Sequence, residues 1–303
     1  MKAPSFGRFP IPFPDENCYN ILCRYAVHRG MLTCSQICID LFGHTEPLAG
    51  YLFKPFRLLD VERWFGNRLI PATQRYGEHH SCYPFYSGFL GPAHAEKVSR
   101  CHIGSQLTSG QAKRINRECG FPQNHKRNLL YCPECVREDI SKRGETCWRR
   151  LPQMPGAVYC PVHRIKYHES GVGYRDINYQ IIPATYALMH FPDPEPEIGN
   201  IYRQQYLRLS EDISWLLNKG FSISDSEWLT RSFFEMTGKP IQDRLLHDVS
   251  RSQNRENRFA DYLAMKIMKD SGKERVDITV SRQIGSILSI EEAFGTMEEF
   301  HNA

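Results

Sequence analysis

Apolar residues recur at helical spacing in two adjoining segments near the start of the chain. Residues 15–29 carry one apolar side, residues 33–42 carry another, and a glycine follows each segment. Thr33 and Gln36 have the spacing of a capping box, which satisfies backbone N–H groups at the start of a helix. The pattern therefore predicts two helices joined by a short turn, which is the outline of a helix-turn-helix.

The second of these predicted helices lacks the side chains of a DNA-recognition helix. Residues 34–40 contain neither arginine nor lysine, so they offer no cation to a phosphate or to a base edge. We therefore favour a helix pair that packs within the protein or docks on a partner over a pair that reads DNA.

Helical spacing returns after residues 192–199, an acidic, proline-rich stretch with the composition of a linker. Apolar residues recur from Tyr202 to Leu216, and residues 224–238 repeat the sequence of cap, apolar side and glycine. Another helix is predicted near residues 259–272. Together these segments predict a C-terminal helical bundle that contains a second helix-turn-helix outline.

Two pairs of soft metal ligands stand in the middle of the chain. Cys132 and Cys135 form a CxxC pair, and Cys160 with His163 forms a CxxH pair after an interval of 24 residues. This spacing lets each pair face one point, so together they complete the tetrahedral Cys₃His shell of a structural zinc site. Because the protein fills all four positions, we predict a structural and not a catalytic Zn²⁺.

Composition agrees with this interpretation of the cysteines. The chain has 303 residues, of which 41% are hydrophobic and 12% aromatic, so a buried core is expected. It has 11 cysteines, and no stretch has the pattern of a secretory signal or a membrane span. We therefore expect a soluble cytoplasmic protein whose reduced thiols favour metal binding over a disulfide framework.

The pattern as a whole predicts a mainly α fold in four parts. Residues 1–128 are expected to form an extended arm and a helix-turn-helix-like N-terminal region. Residues 129–191 are expected to form a Cys₃His zinc-finger module, and the linker at 192–199 leads to a helical domain at 200–303. Within the module, residues 174–191 are rich in aromatic and β-branched side chains and are predicted to be extended.

Prolines alternate with apolar residues in the first 15 positions, which predicts an extended arm. Phe9, Ile11 and Phe13 supply its apolar side chains and are our candidates for docking on a partner protein. The arm can also pack on its own domain, and the sequence leaves both alternatives open.

Basic residues cluster ahead of the metal-ligand pairs, around them and again near the end of the chain. A net charge of +4 permits a nucleic-acid partner without requiring one, so the clustering carries the argument. The clusters either contact DNA phosphates or form a solvated face that neighbouring acids balance. The DNA-binding candidates are Arg100, Lys113, Arg114, Arg117, Lys126, Arg127, Arg149, Arg150, Arg251, Arg255 and Arg258.

The metal-ligand pairs belong to a longer series of motifs that come in a fixed order. The series consists of Phe9-Pro10-Ile11-Pro12, Glu16, Arg24, Tyr83-Pro84-Phe85-Tyr86, Cys132-Pro133-Glu134-Cys135, Cys147-Trp148-Arg149-Arg150 and Cys160-Pro161-Val162-His163. Over residues 8–170 it resembles the TniQ/TnsD family of transposon target-site selectors. No second zinc knuckle follows residue 170, and this favours the TnsD-like branch of the family.

The resemblance implies a non-enzymatic adaptor in transposition. One part of such a protein engages double-stranded DNA at an attachment site, and another recruits a TnsC-like AAA+ ATPase that in turn brings the transposase. In the alternative branch, the adaptor docks on an RNA-guided CRISPR complex and reads no DNA sequence itself. Either role implies a bacterial cytoplasmic protein that acts at the nucleoid.

The sequence also lacks the short motifs of several common enzyme classes. It contains no GxxxxGK[ST] phosphate loop, no HExxH and no GxSxG. Together with the closed metal shell, this predicts a protein without a catalytic site and without a small-molecule substrate.

Overall fold

The computed structural model describes residues 9–53, 79–88, 128–189 and 203–219. Helices make up about half of these residues, and the strands form one small two-stranded sheet. The α-helices are α1 (Cys18–Arg29), α2 (Cys34–Phe42), α3 (Tyr83–Gly88), α4 (Pro133–Arg143), α5 (Ala184–Ala187) and α6 (Arg203–Lys219). The strands are β1 (Asn128–Tyr131) and β2 (His168–Gly173), and short 3₁₀ helices span Leu48–Leu52, Leu151–Gln153 and Asp176–Asn178.

The caps of α1 and α2 follow the sequence pattern closely. Both bonds of the predicted capping box are present at the start of α2, and the glycines that end the two helices have left-handed backbones. Helix α1 begins at Cys18 and not at residue 15, as the apolar pattern suggested. The reason is that the three preceding residues are not helical. Asp15 has a left-handed backbone with a φ of 59°, Glu16 forms an isolated β-bridge with Arg149, and Asn17 caps the helix.

The α1 and α2 pair packs inside the protein. Every residue of α1 from Cys18 to Ala26 is buried, and α2 buries Ile37, Leu41 and Phe42 on one side. One side of α2 remains exposed at Ile39. The predicted packing role is therefore present in the structure.

The sheet joins two segments that are distant in sequence. Strands β1 and β2 run antiparallel, and Tyr131 at the end of β1 lies opposite His168 at the start of β2. The prediction of an extended segment at residues 174–191 was wrong, because β2 ends at Gly173. Beyond it the Asp176 carboxylate accepts a hydrogen bond from the Gly173 N–H at 2.8 Å, which closes a turn before a 3₁₀ helix and α5.

Helix α6 confirms the helical spacing seen after the linker. Leu209, Ile213 and Leu216 are fully buried, and the helix packs against α3 and the 3₁₀ helix Leu151–Gln153. The start of the predicted C-terminal domain thus shares a core with the preceding part of the chain. The linker, the second helix-turn-helix outline and the remaining C-terminal helices lie outside the described residues, so the division into domains stays a prediction.

No helix within the described ranges combines the length and the apolar character that a membrane crossing requires.

Candidate metal centre

The first ligand pair lies where β1 passes into α4. Cys132 is the N-cap residue of α4, Pro133 occupies the first helical position, and Cys135 follows in the first turn. Proline suits that position because its fixed φ is helical and its missing N–H would have no partner there. The strand and the helix therefore hold the two sulfurs on one side of a tight turn.

The second pair lies on a turn that precedes β2. The Cys160 N–H donates to the Ile165 carbonyl at 2.8 Å, and the Arg164 N–H donates back to the Cys160 carbonyl at 2.7 Å. Arg164 has a φ of 57°, the left-handed conformation that reverses the chain. Since this turn leads into β2 and the first pair follows β1, sheet pairing brings both turns to the same end of the sheet.

The four predicted ligands converge on one point. The Nδ1 atom of His163 lies 3.5, 3.4 and 3.6 Å from the sulfurs of Cys132, Cys135 and Cys160, respectively. The sulfurs of Cys135 and Cys160 are 3.8 Å apart, and all four ligand atoms lie within 4.8 Å of one another. One metal ion could be bound by this set of donors.

The electrostatics of the cluster favour a cation at its centre. Close contact with Cys132 and Cys160 raises the pKa of the Cys135 thiol, because neighbouring thiolates repel one another. A divalent cation bound between the sulfurs reverses this effect and stabilises the thiolates. Within the described ranges none of the cysteines forms a disulfide.

Other buried thiols of the core lie outside the four-residue cluster. Burial raises the pKa of Cys23 to about 12 and that of Cys34 to about 11. Such thiols remain protonated at neutral pH and are poor ligands and nucleophiles. The pKa of Cys135 is raised as well, so it is the convergence of four donor atoms that separates the cluster from these cysteines.

Glu138, which sequence reasoning did not identify as part of the site, contacts the histidine ligand. Its Oε1 atom lies 2.9 Å from Nε2 of His163, and its Oε2 atom accepts a hydrogen bond from Lys142 at 2.8 Å. Hydrogen bonds from Lys142 and His163 lower the pKa of Glu138 to about 2, so the carboxylate is ionised at neutral pH. The only sequence signal was its position three residues after Cys135, a spacing that places two residues on the same side if the segment is helical.

The arm packs on its own domain at two of its three docking candidates. The ring centroids of Phe9 and Tyr25 are 5.3 Å apart. The guanidinium carbon of Arg24 lies over the Phe13 ring, 3.8 Å from the centroid of that ring. Ile11 is 84% exposed, although its carbonyl accepts a hydrogen bond from Arg24. Of the three candidates, Ile11 is therefore the one whose side chain a partner could cover.

Arg24 links the arm to the metal module. It donates to Glu16 at 3.0 Å and to Glu145 at 3.1 Å, and Glu16 is completely buried. Burial raises the pKa of Glu16, while the charge of Arg24 acts in the opposite direction. Both residues belong to the motif series, and the structure assigns them a shared role in packing.

Arg149 was predicted to contact DNA, and the structure places it in a bridge between the module and the arm. Its guanidinium donates two hydrogen bonds to Asp139, at 2.8 and 2.9 Å, and a third to the Pro14 carbonyl. The side chain is 22% exposed, so part of it still faces solvent.

Arg150 requires a correction, because its side chain is only 1% exposed. Its guanidinium donates to Asp15, to the Ser81 and Leu217 carbonyls and to the Asn218 side chain, at distances from 2.9 to 3.2 Å. A phosphate cannot reach a guanidinium enclosed in this way. The prediction that Arg150 contacts DNA is therefore wrong for this conformation, and the residue instead joins four segments of the core.

The other DNA-binding candidates fall in segments for which the structure gives no description. These are Arg100, Lys113, Arg114, Arg117, Lys126, Arg127, Arg251, Arg255 and Arg258. Their role in DNA contact stays a prediction.

Helix α6 rests directly on the second ligand turn. The Tyr159 N–H donates to the Ser210 hydroxyl at 3.4 Å, and the rings of Tyr159 and Tyr206 stack with centroids 6.1 Å apart. Arg203 donates to the carbonyl of Arg164 at the other end of the turn. The residues on both sides of Cys160 and His163 thus form part of the surface on which α6 packs.

Comparison with known proteins places this fold and site in one family. The family model TniQ matches residues 8–166, slightly more than half of the chain, and the chain belongs to the TniQ family. The matched stretch contains all four candidate metal ligands and the buried arginines Arg24 and Arg150.

A curated relative defines the similarity further. The chain is 25% identical over 164 residues to the transposon Tn7 transposition protein TnsD of Escherichia coli. The matched region is 51% of this chain and 30% of TnsD, so the chain corresponds to less than a third of that relative's length.

Because Arg150 is buried, its loss should lower the stability of the protein, whereas the loss of a surface DNA contact should not. Arg150→Ala should lower the free energy of unfolding by about 3 kcal/mol, because it leaves Asp15 and two buried carbonyls without their partner. Arg208→Ala, on the exposed side of α6, should change it by less than about 0.5 kcal/mol. Denaturant titration of both variants measures this. An Arg150→Ala protein of unchanged stability and reduced DNA affinity would contradict the packing role.

Proposed function

We propose that the chain is an adaptor that selects target sites in DNA transposition. The observation that carries this proposal is the match to the TniQ family over residues 8–166, the stretch that contains the complete candidate metal centre. In this role the chain engages attachment-site DNA and recruits an AAA+ ATPase that regulates the transposase. The similarity to the Tn7 transposition protein TnsD supports the same role.

We further propose that the metal is zinc and that it is structural. With Zn–S bonds of about 2.3 Å and a Zn–N bond of about 2.0 Å, a tetrahedral site has S···S edges of about 3.8 Å and S···N edges of about 3.5 Å. Four of the six edges match these values, with 3.8 Å between Cys135 and Cys160 and 3.4 to 3.6 Å from His163 to the sulfurs, and all four donor atoms lie within 4.8 Å of one another. Three thiolates and one imidazole also suit zinc chemically.

The same donor set supports a role without catalysis. Four protein ligands complete a tetrahedral shell, so no position is left for a water nucleophile or for a substrate oxygen. What the ion supplies when bound is the free energy that holds two turns together. We therefore assign the chain a binding and recruiting role and not an enzymatic one.

Two residues predicted to contact DNA are instead bound to other residues of the chain, and this favours a second candidate function. Arg150 is buried, so a phosphate cannot reach it, and a phosphate that approaches Arg149 would have to compete with Asp139. A TniQ adaptor that docks on an RNA-guided CRISPR complex needs fewer such contacts, because base pairing to the guide selects the site. Capture of genomic DNA by the purified chain distinguishes this alternative from direct DNA reading.

Metal analysis tests the zinc proposal. The chain purified without chelator should contain one zinc per molecule by elemental mass spectrometry, and Cys160→Ser should lose the metal and unfold at lower temperature. Cys34→Ser removes a thiol outside the cluster and should retain a full equivalent. Metal-free wild-type protein, or equal zinc content in all three proteins, would contradict the proposed site.

Capture of genomic DNA tests the proposed function. Sheared bacterial DNA is selected on the purified chain at near-physiological salt, which suppresses sequence-independent phosphate binding, and the retained fragments are sequenced. The proposal predicts enrichment of one locus. Substitution of Arg251, Arg255 and Arg258 by Gln should weaken retention of every fragment, while Arg137→Gln, whose arginine is paired with Glu134, should not.

The same capture experiment separates the two candidate functions. Failure to enrich any locus would contradict direct site selection by this chain. Enrichment that appears only when an RNA-guided complex is added, at the site matching its guide, would instead support the alternative adaptor.

A further inference from the structure

We infer that Glu138 is a positioning residue for the metal centre, which fixes the ring of His163 so that its Nδ1 atom faces the three sulfurs. The inference rests on the proposed metal site and goes beyond its four ligands. It concerns how firmly the chain retains the metal and not which donors bind it.

The two ring nitrogens of His163 have different surroundings. Nδ1 lies 3.4 to 3.6 Å from the sulfurs of Cys132, Cys135 and Cys160. Nε2 lies 2.9 Å from Oε1 of Glu138. An ionised carboxylate has no proton to donate, so Oε1 is the acceptor in this hydrogen bond. A neutral imidazole carries one ring proton, so this contact keeps the proton on Nε2 and leaves the lone pair of Nδ1 for the metal.

Helix α4 holds Glu138 in position for this task. Cys135, Glu138 and Lys142 follow one another at spacings of three and four residues, so they lie on the same side of the helix. Lys142 donates to the second carboxylate oxygen of Glu138 at 2.8 Å. One helix therefore supplies a ligand, the acceptor that orients another ligand, and the cation that restrains the acceptor.

The same helix contains a natural control. Glu134 is ionisable, partly exposed and paired with Arg137, and it thus resembles Glu138 in type and surroundings. The partner of its carboxylate is an arginine and not a metal ligand. Replacing Glu134 removes one surface charge from α4, as replacing Glu138 does, but leaves the His163 hydrogen bond in place.

Because Glu138 lies at the surface, its replacement should change metal retention without unfolding the protein. Its side chain is 49% exposed, so truncation leaves no buried cavity and no buried unpaired charge. Loss of a carboxylate that orients a histidine ligand typically reduces metal affinity about 10- to 100-fold. The expected effect is therefore faster metal release from a protein that remains folded.

The test uses the full chain loaded with zinc and a chelating dye that reports metal release. Glu138→Ala should release zinc about 10- to 100-fold faster than wild type, and Glu134→Ala should release it at the wild-type rate. Glu138→Gln retains an oxygen acceptor and should fall between the two. In the wild type, nitrogen NMR of His163 should show the ring proton on Nε2.

Two outcomes would overturn the inference. Zinc-loaded Glu138→Ala that releases metal at the wild-type rate would contradict the positioning role alone. Wild-type protein that binds no zinc would contradict both this inference and the zinc proposal. The DNA-capture result bears on neither, so the proposed function can fail while the role of Glu138 holds.

Discussion

The convergence of two short turns at one end of the β1–β2 sheet is the constraint on which the described structure depends. The turns carry ligand pairs separated by 24 residues, and strand pairing between Tyr131 and His168 sets their separation. Such a small sheet contributes little stability by itself. The bound metal that we propose would tie the turns together directly, because its ligands come from both.

Much of the surrounding core is built against these turns. Helix α6 contacts the second turn through Tyr206 and Ser210, and the segment that ends at Arg150 pairs with the chain just before α1. Arg150 then connects this pairing to Ser81, just before α3, and to Leu217 of α6 through buried hydrogen bonds. The residues around the ligand turns therefore share one buried core with α1 and α6 in the described part of the chain.

The elements that sequence predicted well depend on local rules. The capping box of α2, the glycines that end the first two helices and the spacing within each ligand pair are fixed by residues close together in the chain. Two of the misses, at Arg150 and Glu138, arose where contacts between distant residues decide the structure. Arg150 looks like a surface cation in sequence, and only tertiary packing supplies the Asp15 carboxylate and the carbonyls that allow its burial. Glu138 was missed for the same reason, because its partner lies 25 residues away.

Helix α6 packs on the second ligand turn, so the metal that we propose would also support the packing of α6. Hydrogen exchange before and after verified removal of the metal tests this most directly. Protection should fall at Cys160, at Arg164 and along α6, while α2 should retain its protection because its caps and buried side are independent of the turns. Unchanged exchange in α6 after complete metal removal would contradict the proposed support of α6 by the metal.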